Sequence, residues 1–208
     1  KGGKPTGTLV GNKISTLRDD LKRLQASIDI ENNDLQAVRL KSNSNSKTYH
    51  DRVAVMRSKL QLGTTPGNPM MVEAWNAAQE QLEKVNDDIG EMNSLSSRVA
   101  ADASMSAYLL DATRASFGIS GAVDEDHQQL EVLEDEVSQT VVLIERLLTE
   151  LSDDIRRQSN YVANERNQLN TLALAIKNGE FFGPSLASTA YNVSSVKPPN
   201  VTSSKTGL

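Results

Sequence analysis

Apolar side chains recur at alternating steps of three and four residues through three long stretches of this sequence, and that spacing restricts the fold more than any other feature. In the first stretch Ile14, Leu17, Leu21, Leu24, Ile28, Leu35 and Val38 follow the pattern, with Glu31 at its one polar position. Such steps place residues on one face of an α-helix and leave a seam that another helix must cover. The second stretch is the most regular, running through Trp75, Ala78, Leu82, Val85, Ile89, Met92, Ser96, Val99, Ala103, Ser106, Leu110, Thr113 and Phe117. Its seam residues from Ser96 to Ser106 are mostly small, which permits close helix approach but buries less apolar surface per turn.

The third stretch runs through Leu130, Leu133, Val137, Thr140, Ile144, Leu147 and Leu151, then Ile155, Gln158, Val162, Glu165, Leu169, Leu172 and Ile176. Its step from Leu151 to Ile155 is four where three is due, a local phase shift that unwinds supercoiling. Within the first stretch, "SNSNSK" at 42–47 interrupts the seam before Tyr49, Val53, Met56 and Leu60 resume it in another phase. Asn and Ser compete with the helical backbone for hydrogen bonds, so a bend or a short loop is expected there.

Breaks between the stretches are explicit. "LGTTPGNPMMVEAW" at 62–75 sets two prolines and two glycines between periodic runs. Asn68 is placed to cap the next helix, Pro69 suits a first helical position, and Gly63 and Gly67 permit a tight reversal. "GISG" at 118–121 ends the second run, and Asp124, Glu125 and Asp126 then put negative charge where a helix N-terminus favours it. "KNG" at 177–179 is a C-terminal stop, and Phe181 or Phe182 is placed to fold back on the last turn.

The expected fold is therefore all-α, an elongated antiparallel three-helix bundle or coiled coil over residues 9–182, with helices at about 9–61, 69–117 and 122–178. Residues 1–8 read as a flexible leader and 183–208 as a Ser/Thr/Pro-rich linker or tail. At 1.5 Å per residue the second and third helices would each be roughly 75 to 80 Å long. Aromatic residues are only 4% of the chain, thin filling for a rounded core.

Charge supports the two reversals. Arg39, Lys41, Lys47, Arg52, Arg57 and Lys59 oppose Glu73, Glu80, Glu83, Asp87, Asp88 and Glu91 once the chain turns at 62–69. A reversal at 118–121 brings Glu80 and Glu83 to the level of Arg156 and Arg157. Exposed pairs contribute about 0 to 1 kcal/mol each, yet they disfavour wrong registers.

The loop also offers a contact point at the expected tip, where Asn68, Met70, Met71 and Trp75 would meet a protein partner. The structural alternative is that these residues seal the end of the bundle. No other constellation carries chemistry. "GGKPTGT" lacks the spacing and the strand of a phosphate loop, and His50 and His127 lie in different helices without ligand spacing. "DEDH" at 124–127 is accounted for as helix-start charge. Asp87 with Asp88 and Asp153 with Asp154 read as neighbours on a solvated face. The seam polars Ser96, Ser106, Thr113, Thr140 and Gln158 read as close-packing or register-setting positions. No catalytic, cofactor-binding or metal-binding residue is expected.

The chain has no cysteine and a net charge of -5, which argues against thiol chemistry and against general attraction to nucleic acid or an anionic membrane. Its apolar runs fall far short of the roughly 20 residues of a membrane span. It opens on Lys1 rather than Met, as expected of a processed or truncated piece.

Residues 61–82, 92–137 and 176–183 ("QLGTTPGNPMMVEAWNAAQEQL", the run from "MNSLSSRVAADASMSAYLL" to "LEVLEDEV", and "IKNGEFFG") resemble a group of exported envelope proteins of Gram-negative bacteria. In that group a helical region precedes a domain similar to the peptidoglycan-binding domain of outer membrane protein A. The resemblance implies a periplasmic or envelope setting and carries no catalytic motif. The expected function is a non-enzymatic structural or interaction module of the cell envelope, tethering or self-associating through protein partners as a homo-oligomer. The alternative is a periplasmic sensory or ligand-binding helical bundle.

Overall fold

A computed structural model describes residues 6–180, and the described chain is all α-helical: α1 Leu9–Leu62, α2 Pro69–Ser116 and α3 Asp124–Asn178. The helices pack as an antiparallel three-helix bundle. Residues 1–5 of the expected leader, Phe181 and Phe182 with their expected fold-back, and the expected tail at 183–208 lie outside the described residues. Helix boundaries fall within two residues of those expected. Two compact units divide the described chain, one formed by 6–49 with 80–166 and the other by 50–79 with 167–180.

In the first unit the buried core is drawn from all three helices, including Leu17, Leu21 and Leu24 of α1, Met92, Leu95 and Val99 of α2, and Leu130, Leu133 and Val137 of α3. Polar contacts between neighbours report the register. Going from Asp34 to Lys41 on α1 moves the partner back by one heptad on α2, from Arg98 to Glu91, so these helices are antiparallel. α1 and α3 are parallel, because Arg18 to Gln129, Gln25 to Thr140, Arg39 to Asp154 and Tyr49 to Glu165 keep sequence separations of 111, 115, 115 and 116.

The stretch "SNSNSK" neither bends nor loops: α1 is helical without interruption from Leu9 to Leu62. The seam continues through it in polar form. Ser42 is fully buried, and Asn45 donates from Nδ2 to Asp88 Oδ2 at 2.7 Å while accepting Gln81 Nε2 at 3.1 Å. Contacts between helices thus override the local preference of Asn and Ser for non-helical backbone. Likewise Leu95 and Leu109 are buried where Ser96 and Leu110 are expected, and the latter are half-buried. A helix between two neighbours buries a stripe wider than the two seam positions, and the flanking position is drawn in.

α2 and α3 meet at a different level from the one the charges suggest. Glu83 pairs with Arg166 at 3.1 Å, while Arg156 and Arg157 pair with Asp153 and Asp154 of their own helix and Glu80 with Lys84. The cause is the 117–123 connection, whose Phe117, Ile119 and Ala122 pack on the core. Arg114, two residues from the end of α2, reaches Glu134, ten residues into α3.

Where α1 and α3 begin, Thr8 caps α1 by accepting the Gly11 amide at 2.8 Å. Thr6 and Thr8 both donate hydroxyl hydrogens to the buried Asp126 carboxylate, at 2.5 and 2.8 Å, and that carboxylate also accepts the Val123 amide at 3.1 Å. These bonds, Thr6 first, hold the Asp126 carboxyl below the usual carboxylate range, with His127 adding to the effect. Gly11 is required by the close approach, since a Cβ there would collide with the Thr6 hydroxyl.

In the second unit the reversal at 63–68 closes onto the end of α3. The Thr64 amide donates to the Gly179 carbonyl at 2.8 Å and the Gly67 amide to the Ile176 carbonyl at 2.9 Å, so the loop satisfies carbonyls that a helix C-terminus leaves open. Gly179 has φ 84°, and a Cβ on it would collide with the Thr64 carbonyl oxygen and press on Pro66. Gly63 has φ 83° but open space around it.

Two outcomes follow from these ends. Gly63→Ala should lower unfolding stability by only the left-handed backbone penalty, about 1 kcal/mol, whereas Gly179→Ala adds a collision and should lower it by about 3 kcal/mol. Urea unfolding of the pair checks the order. Because the Asp126 pKa is lowered in the folded chain, its anchoring of Thr6 and Thr8 is full above the unfolded-state value and is lost as pH falls through the folded one. Hydrogen exchange at the Gly11 and Val123 amides, corrected for intrinsic rates, should therefore accelerate only below the ordinary carboxylate range.

Candidate functional site

The four residues of the expected contact tip take different roles in the second unit. Asn68 accepts the Met70 amide at Oδ1, 3.0 Å, and donates to Thr64 Oγ1 at 2.7 Å, capping α2 and closing the loop. Met71 is buried at 2% exposure, and Trp75 donates its indole N–H to the Leu169 carbonyl at 2.8 Å. Only Met70 stands out, at 67% exposure. Asn68, Met71 and Trp75 are thus each engaged within the second unit, and Met70 stands on the surface.

The richer chemistry lies in the first unit, where polar side chains occupy seam positions. Asp88 and Asp154 are buried, whereas the spacing suggested a solvated face for both; only their neighbours Asp87 and Asp153 are turned away from the interior. Asp154 Oδ2 takes Arg39 Nε at 2.5 Å and is also paired with Arg157, while Arg39 reaches Glu150 at 3.1 Å. Asp154 is the residue at the three-step from Leu151, so an ion pair fills the place where the apolar pattern skipped to Ile155, itself half-buried. Lys41 bridges Asp88 at 3.2 Å and Glu91. The hydroxyls of Ser106, Thr113 and Thr140 donate to carbonyls of their own helices, which lets them pack closely without an unmet hydrogen. Ser96 and Gln158 are half-buried.

Glu31 differs from Asp88 and Asp154 in having no ion-pair partner among the described residues. It is 3% exposed, and its Oε2 accepts no hydrogen bond. Across α2, Asp102 also has a buried oxygen, Oδ2, that accepts none. Burial foremost, then the Asp102 charge, pushes the Glu31 carboxyl up to about 7; Arg98 opposes the rise and Asp34 adds to it. Arg98 is committed to Asp34 at 2.7 Å. The spacing had placed Glu31 in the seam, but only the partner helix reveals that a second acid meets it.

Beside this pair an open groove of about 340 Å³ lies between α1 and α2, lined by Asp34, Ala37, Val38, Lys41, Glu91, Ser94, Leu95 and Arg98. Its charged rims are tied to each other as Arg98 to Asp34 and Lys41 to Glu91. Among the described residues no group of three or more His, Cys, Asp or Glu is arranged to hold a metal ion, and no helix is long and apolar enough to cross a membrane. No protein-family model, curated protein or solved structure matches the chain.

Removing Arg39 should expose how the buried acid is held. Arg39→Met leaves Asp154 with Arg157 alone and should lower stability by about 2 kcal/mol, discounted from a fully buried pair because Arg39 is partly exposed. Adding Asp154→Leu should restore most of that loss in urea unfolding.

Proposed function

We propose that this chain is a non-enzymatic structural and interaction module, a helical scaffold of the bacterial cell envelope that tethers or self-associates through protein contacts. The observation that carries the reading is the use made of its charged side chains. Arg39, Lys41, Arg98, Arg114 and Arg166 each pair with acids on a neighbouring helix of the first unit, so ionisable groups are spent pairwise on joining helices. A catalytic site instead needs such groups to converge on a concavity beside a reacting atom.

Exposed apolar side chains supply the contact surface. In the first unit Ile30, Leu40, Met105, Tyr108 and Val142 are each about half exposed or more. Apolar groups of this size outside the core are the material of protein contacts when they gather on a face. The envelope setting rests on the resemblance carried by residues 61–82, 92–137 and 176–183.

A sensory or ligand-binding bundle is the second reading, favoured by the groove between α1 and α2. A ligand entering there must compete with the Arg98–Asp34 and Lys41–Glu91 pairs.

Light scattering coupled to size exclusion, from about 1 to about 200 µM chain, separates the readings by mass action. The scaffold reading expects mass to rise with concentration and Met105→Lys with Tyr108→Lys to weaken the rise. A monomer throughout, together with a saturable rise in melting temperature on adding a small metabolite, would replace it with the sensory reading.

A further inference from the structure

Asn45 and Asp88 show how α1 and α2 meet in the first unit, with the Asn45 amide donating to the Asp88 carboxylate at 2.7 Å. Two heptads back along α1 from Asn45 stands Glu31, and two heptads forward along antiparallel α2 from Asp88 stands Asp102. The Arg98–Asp34 and Lys41–Glu91 pairs keep the same register across the interval. Glu31 and Asp102 therefore occupy the equivalent facing positions, with one change of chemistry: the donor amide is replaced by a carboxyl. An ionised Glu31 has no hydrogen to donate, and two facing carboxylates repel. A protonated Glu31 restores the missing donor, since its O–H can serve Asp102 as the Asn45 N–H serves Asp88.

We propose that Glu31 and Asp102 form a proton-binding pair built into the α1–α2 interface, holding one proton between two carboxyls and loosening the middle of this unit when that proton leaves. The geometry carries the assignment: Glu31 is 3% exposed, and Glu31 Oε2 and Asp102 Oδ2 are both buried oxygens that accept no hydrogen bond. The groups that face the pair are few. On α1 there is Asp34, and on α2 Arg98, which is engaged with Asp34. The α1–α3 separations of 111 to 116 bring residues 142–147 of α3 level with Glu31. There Ile144 and Leu147 are buried, whereas Glu145 and Arg146 are exposed, Arg146 pairing with Glu150. No cation of α3 takes the place of the proton.

The position of the pair gives the proton leverage. Between Leu95 and Leu109 the only fully buried apolar side chain of α2 is Val99, with Ala103 partly buried and Ser106 at the next seam position. Apolar burial per turn of α2 is low beside Asp102, so electrostatic repulsion meets little resistance there. The raised carboxyl near neutrality sets the direction. Between the ordinary glutamate range and about 7 the folded chain retains a proton that the unfolded chain has lost, so stability falls as pH rises through that window and levels off above it.

Carbon-detected NMR of the full chain carrying 13C-labelled glutamate tests the site directly. One side-chain carboxyl should titrate near neutrality, and Glu31→Gln should remove that resonance. Glu31→Gln supplies a permanent donor, so its melting temperature at pH 8 should match or exceed that of the parent at pH 5. Its hydrogen-exchange protection across 24–38 and 95–109 should lose the alkaline decline, expected to be about tenfold in the parent. His50 and His127 are present in both chains, so the difference between parent and variant isolates Glu31. Titration of every glutamate in the ordinary range, or an exchange profile independent of pH from 5 to 8 in the parent, would overturn the proposal without recourse to any variant.

Discussion

A helix that lies between two others must bury a stripe wide enough for both, and its register is decided by whatever fills that stripe. In the first unit the filling is mixed. Leucine and valine supply most of the burial, but they are nearly interchangeable between one heptad and the next, so apolar contacts alone would tolerate a slip. The polar members are not interchangeable. Asn45 reaches Asp88 and Arg39 reaches Asp154, and a slip of seven residues would take these partners from the two buried carboxylates. The interaction on which the rest depends is this cross-helix polar pairing set within an apolar seam. It contributes less than the leucines to the free energy of folding and more to the choice among registers.

That division explains what could be read from residue order. Helix number, approximate boundaries and most buried residues follow from spacing, because the three-four alternation is a local property of one helix. Asn68 with Pro69, and Gly179 after Lys177 and Asn178, announce a start and a stop by their own backbone chemistry. Register is a relation between helices, and it was legible only where charge blocks happened to face each other, as Lys41 faces Asp88 and Glu91. Arg156 and Arg157 were misplaced relative to Glu83 because the 117–123 connection packs on the core instead of spanning the shortest path. Residue order suggests a solvated face for Asp88 and Asp154 because an acid beside another acid carries no sign of the Lys or Arg that pairs with it.

The candidate site was legible in halves. Glu31 declares itself as a polar member of an apolar seam, but its significance needs Asp102, which lies outside the seam positions of α2, between Val99 and Ala103. The tip residues were conspicuous for the opposite reason, being bulky beside a proline- and glycine-rich loop, and the structure uses most of that bulk internally. Residues next to a turn serve the needs of the turn first, and the amides of Thr64 and Gly67 bonded to the Gly179 and Ile176 carbonyls state what those needs are.

The comparison of Asn45–Asp88 with Glu31–Asp102 bears on how a helical scaffold can carry information at all. A seam made only of apolar side chains has one state over the whole physiological pH range. A seam whose polar positions are all amide, hydroxyl or ion pair is equally fixed, because its donors are permanent. Placing one carboxyl where the repeat elsewhere uses an amide changes a permanent donor into a conditional one. The condition is set by burial, which moves the carboxyl from the acid range into the neutral one. Its consequence is confined by neighbours: Val38 and Leu95, one heptad on toward Asn45 and Asp88, are buried and apolar, so the interface on that side does not depend on the proton. A local change in helix packing can therefore occur while the register set by the remaining pairs is kept.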